Sequence, residues 1–139
     1  MILQKERESI VEYGKKLLTS QLTTGSGGNL SIFNRDQNLI AIKPTGVDYM
    51  IMKPEDVVVV SPTGEIVDGV LKPSSELKFH LALLHHRPDI HAVVHTHQTY
   101  ATTIACLNIE LQPVHYLIGF SEIGRAAGRE RVKYEVVGR

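Results

Sequence analysis

At 139 residues, with 15 basic and 15 acidic side chains and a formal net charge of zero, the chain fits one domain with room for a real core. It lacks the basic excess of a general nucleic-acid binder. The single cysteine, Cys106, excludes an internal disulfide, and no signal peptide or long apolar run is visible, so the cytoplasm is the expected compartment and no membrane is an expected partner.

Residues 2–22 place Ile2, Leu3, Ile10, Val11, Leu17 and Leu18 among charged residues, the pattern of an amphipathic helix packed on a core. Thr24-Gly25-Ser26-Gly27-Gly28-Asn29-Leu30-Ser31 follows. Its glycines allow positive φ and close backbone approach to an anion, although Gly-Ser connectors are common and the loop taken alone reads first as one of them. Leu30–Phe33 and Leu39–Ile42 read as a hairpin around the polar turn 34–38. The second strand runs into Lys43-Pro44-Thr45-Gly46, a turn that presents the Thr45 hydroxyl and nearby N–H groups. Val57–Val60 and Glu65-Ile66-Val67, joined by Ser61-Pro62-Thr63-Gly64, read as a second hairpin.

Pro73-Ser74-Ser75-Glu76 then opens a helix through Leu77, Phe79, His80, Leu81, Leu83 and Leu84, with either serine as N-cap and Glu76 in the first turn. Free N–H groups and the positive end of the helix dipole suit a phosphate there, and an ordinary helix start suits the same residues. His80, His85 and His86 read as solvated or packed side chains. After Arg87-Pro88-Asp89, the β-branched run Ala92-Val93-Val94 reads as a buried strand ending in His95-Thr96-His97. Residues two apart on a strand share a face, so His95 and His97 form a candidate metal-ligand pair, short of the three protein groups of a catalytic zinc site. Cys106, in the apolar run 102–107, is expected to be a small core residue.

Gly28-Asn29-Leu30-Ser31, Lys43-Pro44-Thr45-Gly46, Pro73-Ser74-Ser75-Glu76 and His95-Thr96-His97 occur in one order, and together they resemble the class II aldolase/adducin family. Within it the chain is similar to the L-fuculose-phosphate aldolase group, over roughly residues 5–120. The resemblance implies a three-layer α/β/α fold with a mainly antiparallel central sheet. It also implies a Zn2+ site at the sheet edge facing a neighbouring subunit of a homotetramer. Gly28, Asn29, Thr45, Gly46, Ser74 and Ser75 match positions that hold the phosphate of a small phosphorylated sugar. His95 and His97 match two of three zinc-binding histidines, and Glu76 matches the catalytic acid/base, which can also approach the metal.

The implied reaction is reversible cleavage of a ketose 1-phosphate to dihydroxyacetone phosphate and an aldehyde. A divalent cation spreads the charge of the enediolate while Glu76 moves a proton on or off its carbon. A pentulose-phosphate 4-epimerase, a methylthioribulose-phosphate dehydratase and a sugar-acid phosphate decarboxylase share the same motifs. The epimerases usually carry aspartate at the position of Glu76, which favours the aldolase. An adducin-like binding module is the non-catalytic alternative, and the retained histidines and Glu76 count against it. The family's third metal histidine has no counterpart here, His115 matching a non-ligand position, and residues 121–139 fit the family poorly. The expectation is one domain over 1–139 belonging to a longer parent, with a strand at Val132–Val137 and weak zinc binding and turnover in the chain by itself.

Overall fold

A computed structural model describes residues 1–107, apart from the side chains of Ala101 and Ala105. His115, the strand expected at Val132–Val137 and the tail 121–139 lie outside the described residues. The elements in order are α1 (Gln4–Thr19), β1 (Asn29–Asn34), β2 (Leu39–Ile42), a 3-10 turn (Pro54–Asp56), β3 (Val58–Val60), β4 (Ile66–Asp68), α2 (Leu77–His86), β5 (Ala92–His95) and α3 (Thr99–Leu107). The strands form one sheet in the order β4-β3-β2-β1-β5, and every pairing is antiparallel. Among the described residues no helix is long and apolar enough to cross a membrane.

Both faces of the sheet are covered, because the strands alternate between two apolar sets. Leu30, Ala41, Val57 and Val59 face α1, where they meet Ile10, Val11, Leu17, Tyr49 and Met52. Phe33, Ile40, Ile42, Val58, Val60 and Val93 face α2, where they meet Leu84 and Ile90. The layers are therefore helix, sheet and helix, as expected.

The helix expected over 2–22 is shorter, Gln4–Thr19. It stops because Gln21 adopts a left-handed conformation (φ 57°), and the Gln21 and Leu22 N–H groups bond back to the Leu18 and Leu17 carbonyls. Its buried stripe includes Arg7, a charged side chain only 1% exposed. The guanidinium donates to the carbonyls of Ile2 (2.8 Å), Pro54 (3.3 Å) and Val57 (2.5 Å) and pairs with Asp68 at 2.5 Å. One side chain thus ties α1 to the 3-10 turn and to the end of β4. Gly14, in the same stripe, lies against the Tyr49 ring so closely that a Cβ there would clash with it.

Two expectations are corrected. Cys106 is exposed on α3, because a run of apolar residues on a surface helix still leaves one side toward solvent. The expected N-caps Ser74 and Ser75 precede the helix proper, and Glu76 occupies the cap position (φ −95°, ψ 14°). Ser74 Oγ instead accepts from the Glu76 N–H at 3.2 Å, closing a small side-chain turn that sets Glu76 at the helix mouth. His80, left open between solvated and packed, is wholly buried on the sheet side of α2.

Two stability predictions follow from this packing. Gly14→Ala is expected to destabilise the fold by about 1–3 kcal/mol, the usual range for overpacking, in urea unfolding. His80, pushed by burial down to about 4 from 6.5, stays neutral in the native state while the unfolded chain takes up a proton. Stability therefore falls as pH drops from 6.5 toward 4, by on the order of 3 kcal/mol. Burial lowers His95 as well, in the same direction. Urea midpoints between pH 7 and pH 4.5 are expected to fall less steeply in His80→Gln than in the wild type.

Candidate active site

Four segments converge at one end of the sheet, and backbone pairing brings them there. In the β1–β5 register Asn29 stands opposite His95, and beyond β5 the His97 N–H donates to the Leu22 carbonyl at 3.2 Å. Gly28, at φ 66°, leaves no room for a side chain, since a Cβ would sit 2.6 Å from the His95 carbonyl oxygen. On the other flank, Thr45 N–H donates to the Lys72 carbonyl and Ser74 N–H to the Lys43 carbonyl, each at 3.0 Å. That short two-stranded bridge, with Pro44 opposite Pro73, sets Thr45 and Gly46 beside Ser74 and Ser75.

The segments line a cleft of about 170 Å³ bounded by Ser26–Asn29, Lys43–Gly46, Ser74–Glu76 and His97. Every residue expected at a phosphate site lines it, as does Glu76. Sequence reasoning missed Lys43. It named the Lys-Pro-Thr-Gly turn for its hydroxyl and its N–H groups and overlooked the lysine, which is 1% exposed and lines the cleft. The Lys43 ammonium donates to the carbonyls of Pro44 (3.2 Å) and Ser26 (3.4 Å) and rests 4.6 Å above the Tyr49 ring centroid. Burial lowers its pKa, opposed by the charge of Asp48. The Tyr49 hydroxyl donates to the Gly27 carbonyl at 3.1 Å, and burial pushes its own pKa up. Tyr49 thereby supports both the glycine loop and the lysine.

Glu76 lies between the cleft and the histidine pair. Its Oε2 accepts from Asn29 Nδ2 at 2.6 Å and lies 3.4 Å from His95 Nδ1. His95 and His97 place their ring centroids 4.9 Å apart at 73°. His95, the last residue of β5, is buried, and His97, two residues beyond the strand, is exposed. Burial lowers the His95 pKa, as does His97, while Glu76 opposes the shift. The low value favours the neutral ring whose lone pair a metal needs. Two imidazoles and a carboxylate are chemically suited to zinc, yet no group of three donors is gathered into a ready cage among the described residues. The pair alone falls short of the three protein groups of a catalytic zinc site.

The chain is 58% identical over 121 residues to a 5-deoxy-D-ribulose 1-phosphate aldolase of Bacillus thuringiensis serovar kurstaki, covering 87% of this chain and 57% of that protein. It is 36% identical over 138 residues to the L-ribulose-5-phosphate 4-epimerase UlaF of Salmonella paratyphi B, covering 96% of this chain and 60% of the relative. The chain thus spans less than two thirds of the length of these curated relatives. Among solved structures, an L-fuculose 1-phosphate aldolase superposes with a TM-score of 0.79 at 44% identity, covering 85% of this chain and 56% of the other. Residues 8–134 match the family described as the class II aldolase and adducin N-terminal domain, and the chain belongs to that family.

Proposed function

We propose that the chain forms the substrate-phosphate half of a zinc-dependent lyase that reversibly cleaves a ketose 1-phosphate to dihydroxyacetone phosphate and an aldehyde. The observation that carries this reading is the placement of Glu76, one carboxylate oxygen bridging the anion cleft and the histidine pair. The names of the aldolase relatives, each a 1-phosphate of a keto sugar, support the substrate class. The glutamate at position 76, where related epimerases are expected to carry aspartate, favours carbon–carbon cleavage over epimerisation.

The chain's own residues divide the work. Lys43 supplies the positive charge of the cleft, and the N–H and hydroxyl groups of Gly28, Asn29, Thr45, Gly46, Ser74 and Ser75 orient the phosphate. The energy of holding that non-reacting end is then available for alignment of the reacting carbons. Glu76 takes a proton from the substrate carbon or returns it, since its carboxylate is the basic group at the junction. His95 and His97 would hold zinc, which supplies the Lewis acid for the charge left on the substrate oxygens when the bond breaks. Homo-oligomeric assembly belongs to the same proposal: His97 is exposed, so groups from outside the described residues can reach the metal position.

The test combines inorganic phosphate binding with coupled detection of dihydroxyacetone phosphate. Wild-type protein with zinc is expected to release dihydroxyacetone phosphate from a ketose 1-phosphate at a low but measurable rate, to lose that activity on chelation and to regain it with added zinc. Glu76→Gln is expected to lower turnover by about 100-fold or more, the scale of general acid–base catalysis, with phosphate affinity within about threefold. Lys43→Met is expected to weaken phosphate binding by about 10–100-fold, the scale of a charged hydrogen bond. A protein that bound no phosphate and released no dihydroxyacetone phosphate would overturn the reading. Conversion of L-ribulose 5-phosphate to its C4 epimer instead would assign the site to the epimerase branch.

A further inference from the structure

Behind the cleft lies a row of buried polar groups that the proposed reaction does not use directly. On α2, the position facing the sheet one turn before Leu84 is His80, 0% exposed, where the helix's apolar stripe would take a leucine. Its ring bridges two residues of β1. Nδ1 lies 2.7 Å from Ser31 Oγ, and Nε2 makes a short hydrogen bond to Asn29 Oδ1. Ser31 is 0% exposed and Asn29 7%, so the row is closed to water on its inner side. Ser31 stands two residues from Asn29 on the same face of β1, and that spacing lets one imidazole span both.

A neutral imidazole has one N–H, and an amide has one donor end and one acceptor end, so the row must run in a single direction. Asn29 gives its Nδ2 to the Glu76 carboxylate, and its Oδ1 therefore faces His80 and accepts. His80 then carries its proton on Nε2, and Nδ1 accepts from the Ser31 hydroxyl. The sequence Ser31 to His80 to Asn29 to Glu76 pairs each donor with an acceptor. In the reverse order the Asn29 carbonyl would face an ionised carboxylate, a contact without a proton.

We propose that His80, held between Ser31 and Asn29, is a positioning residue that locks the Asn29 amide in the orientation selected by the Glu76 carboxylate, with its N–H side facing Glu76 and the anion cleft. The inference rests on the role given above to Glu76. Its chemical content is narrow: the imidazole touches no substrate and transfers no proton, and its Nε2–H gives the Asn29 carbonyl a buried donor that holds the amide in the orientation the Glu76 carboxylate selects. A leucine of similar bulk would fill the space and leave the Asn29 carbonyl without its buried donor. A glutamine, whose Nε2 can take the place of the ring N–H, would keep the lock.

The direct measurement is the His80 tautomer in the wild-type protein, read from ring 15N shifts and long-range 1H–15N couplings at pH 7 to 8. The Nε2–H form is expected; the Nδ1–H form would overturn the proposal. Independently, His80→Leu is expected to lower turnover by about 10–100-fold, the range seen when groups supporting a site's inner ligands are removed, and His80→Gln to recover most of it. Equal turnover in the leucine and glutamine variants would overturn the proposal even if both fold. Absence of wild-type lyase activity would defeat the functional reading alone, because the tautomer still decides whether the lock exists.

Discussion

The antiparallel register of β1 against β5 is the constraint on which the rest of the site depends. Asn29 opposite His95 joins the glycine loop to the histidine strand, and the alternation of β1 then sends Asn29, Ser31 and Phe33 toward α2. A shift of one residue would turn all three to the other face, placing Leu30 and Ile32 against His80. The register is held from both sides, by Phe33 in one core and Leu30 in the other, so burial of apolar side chains fixes the position of the polar ones. Gly28 belongs to the same constraint, because any side chain at that point would push the end of β5 away.

Burial also explains how the molecule keeps charged and polar groups inside a small core. Arg7, Lys43 and His80 are almost wholly enclosed, and each has partners with the right chemistry: three carbonyls and Asp68 for Arg7, two carbonyls and an aromatic face for Lys43, a hydroxyl and an amide for His80. An enclosed charge costs several kcal/mol unless so satisfied. The three differ in what they hold together. Arg7 links α1 to the turn and to β4, Lys43 joins the loops of the cleft, and His80 ties α2 to β1.

Much of the fold was legible because its pattern is local. The alternation in 30–33 and 39–42 and the β-branched run at 57–60 each carry their own period, and the structure places strands there. The end of α1 was less legible, since a glutamine in a left-handed conformation gives no signal of its own. For the site, the four motifs identified the loops that the structure brings together, and the roles proposed for their residues rest on the resemblance. Lys43 and His80 stayed hidden for a common reason. A lysine after a strand and a histidine in a helix are ordinary surface residues until the tertiary structure covers them, and the covering comes from Tyr49 and from β1, six and about fifty residues away. Cys106 failed in the opposite sense, its apolar neighbours promising a burial that α3 does not provide.

If the cleft holds a sugar phosphate as proposed, Lys43 gives it a selectivity that does not depend on shape. Its ammonium was stripped of most of its water when the chain folded, and the two carbonyls and the ring face that surround it carry no full negative charge. A dianion entering the cleft supplies that charge and has only its own hydration to lose. An unphosphorylated sugar of the same outline would displace the remaining water and bring no counter-charge. On the proposed function, discrimination against free sugars then rests on charge and needs no steric gate.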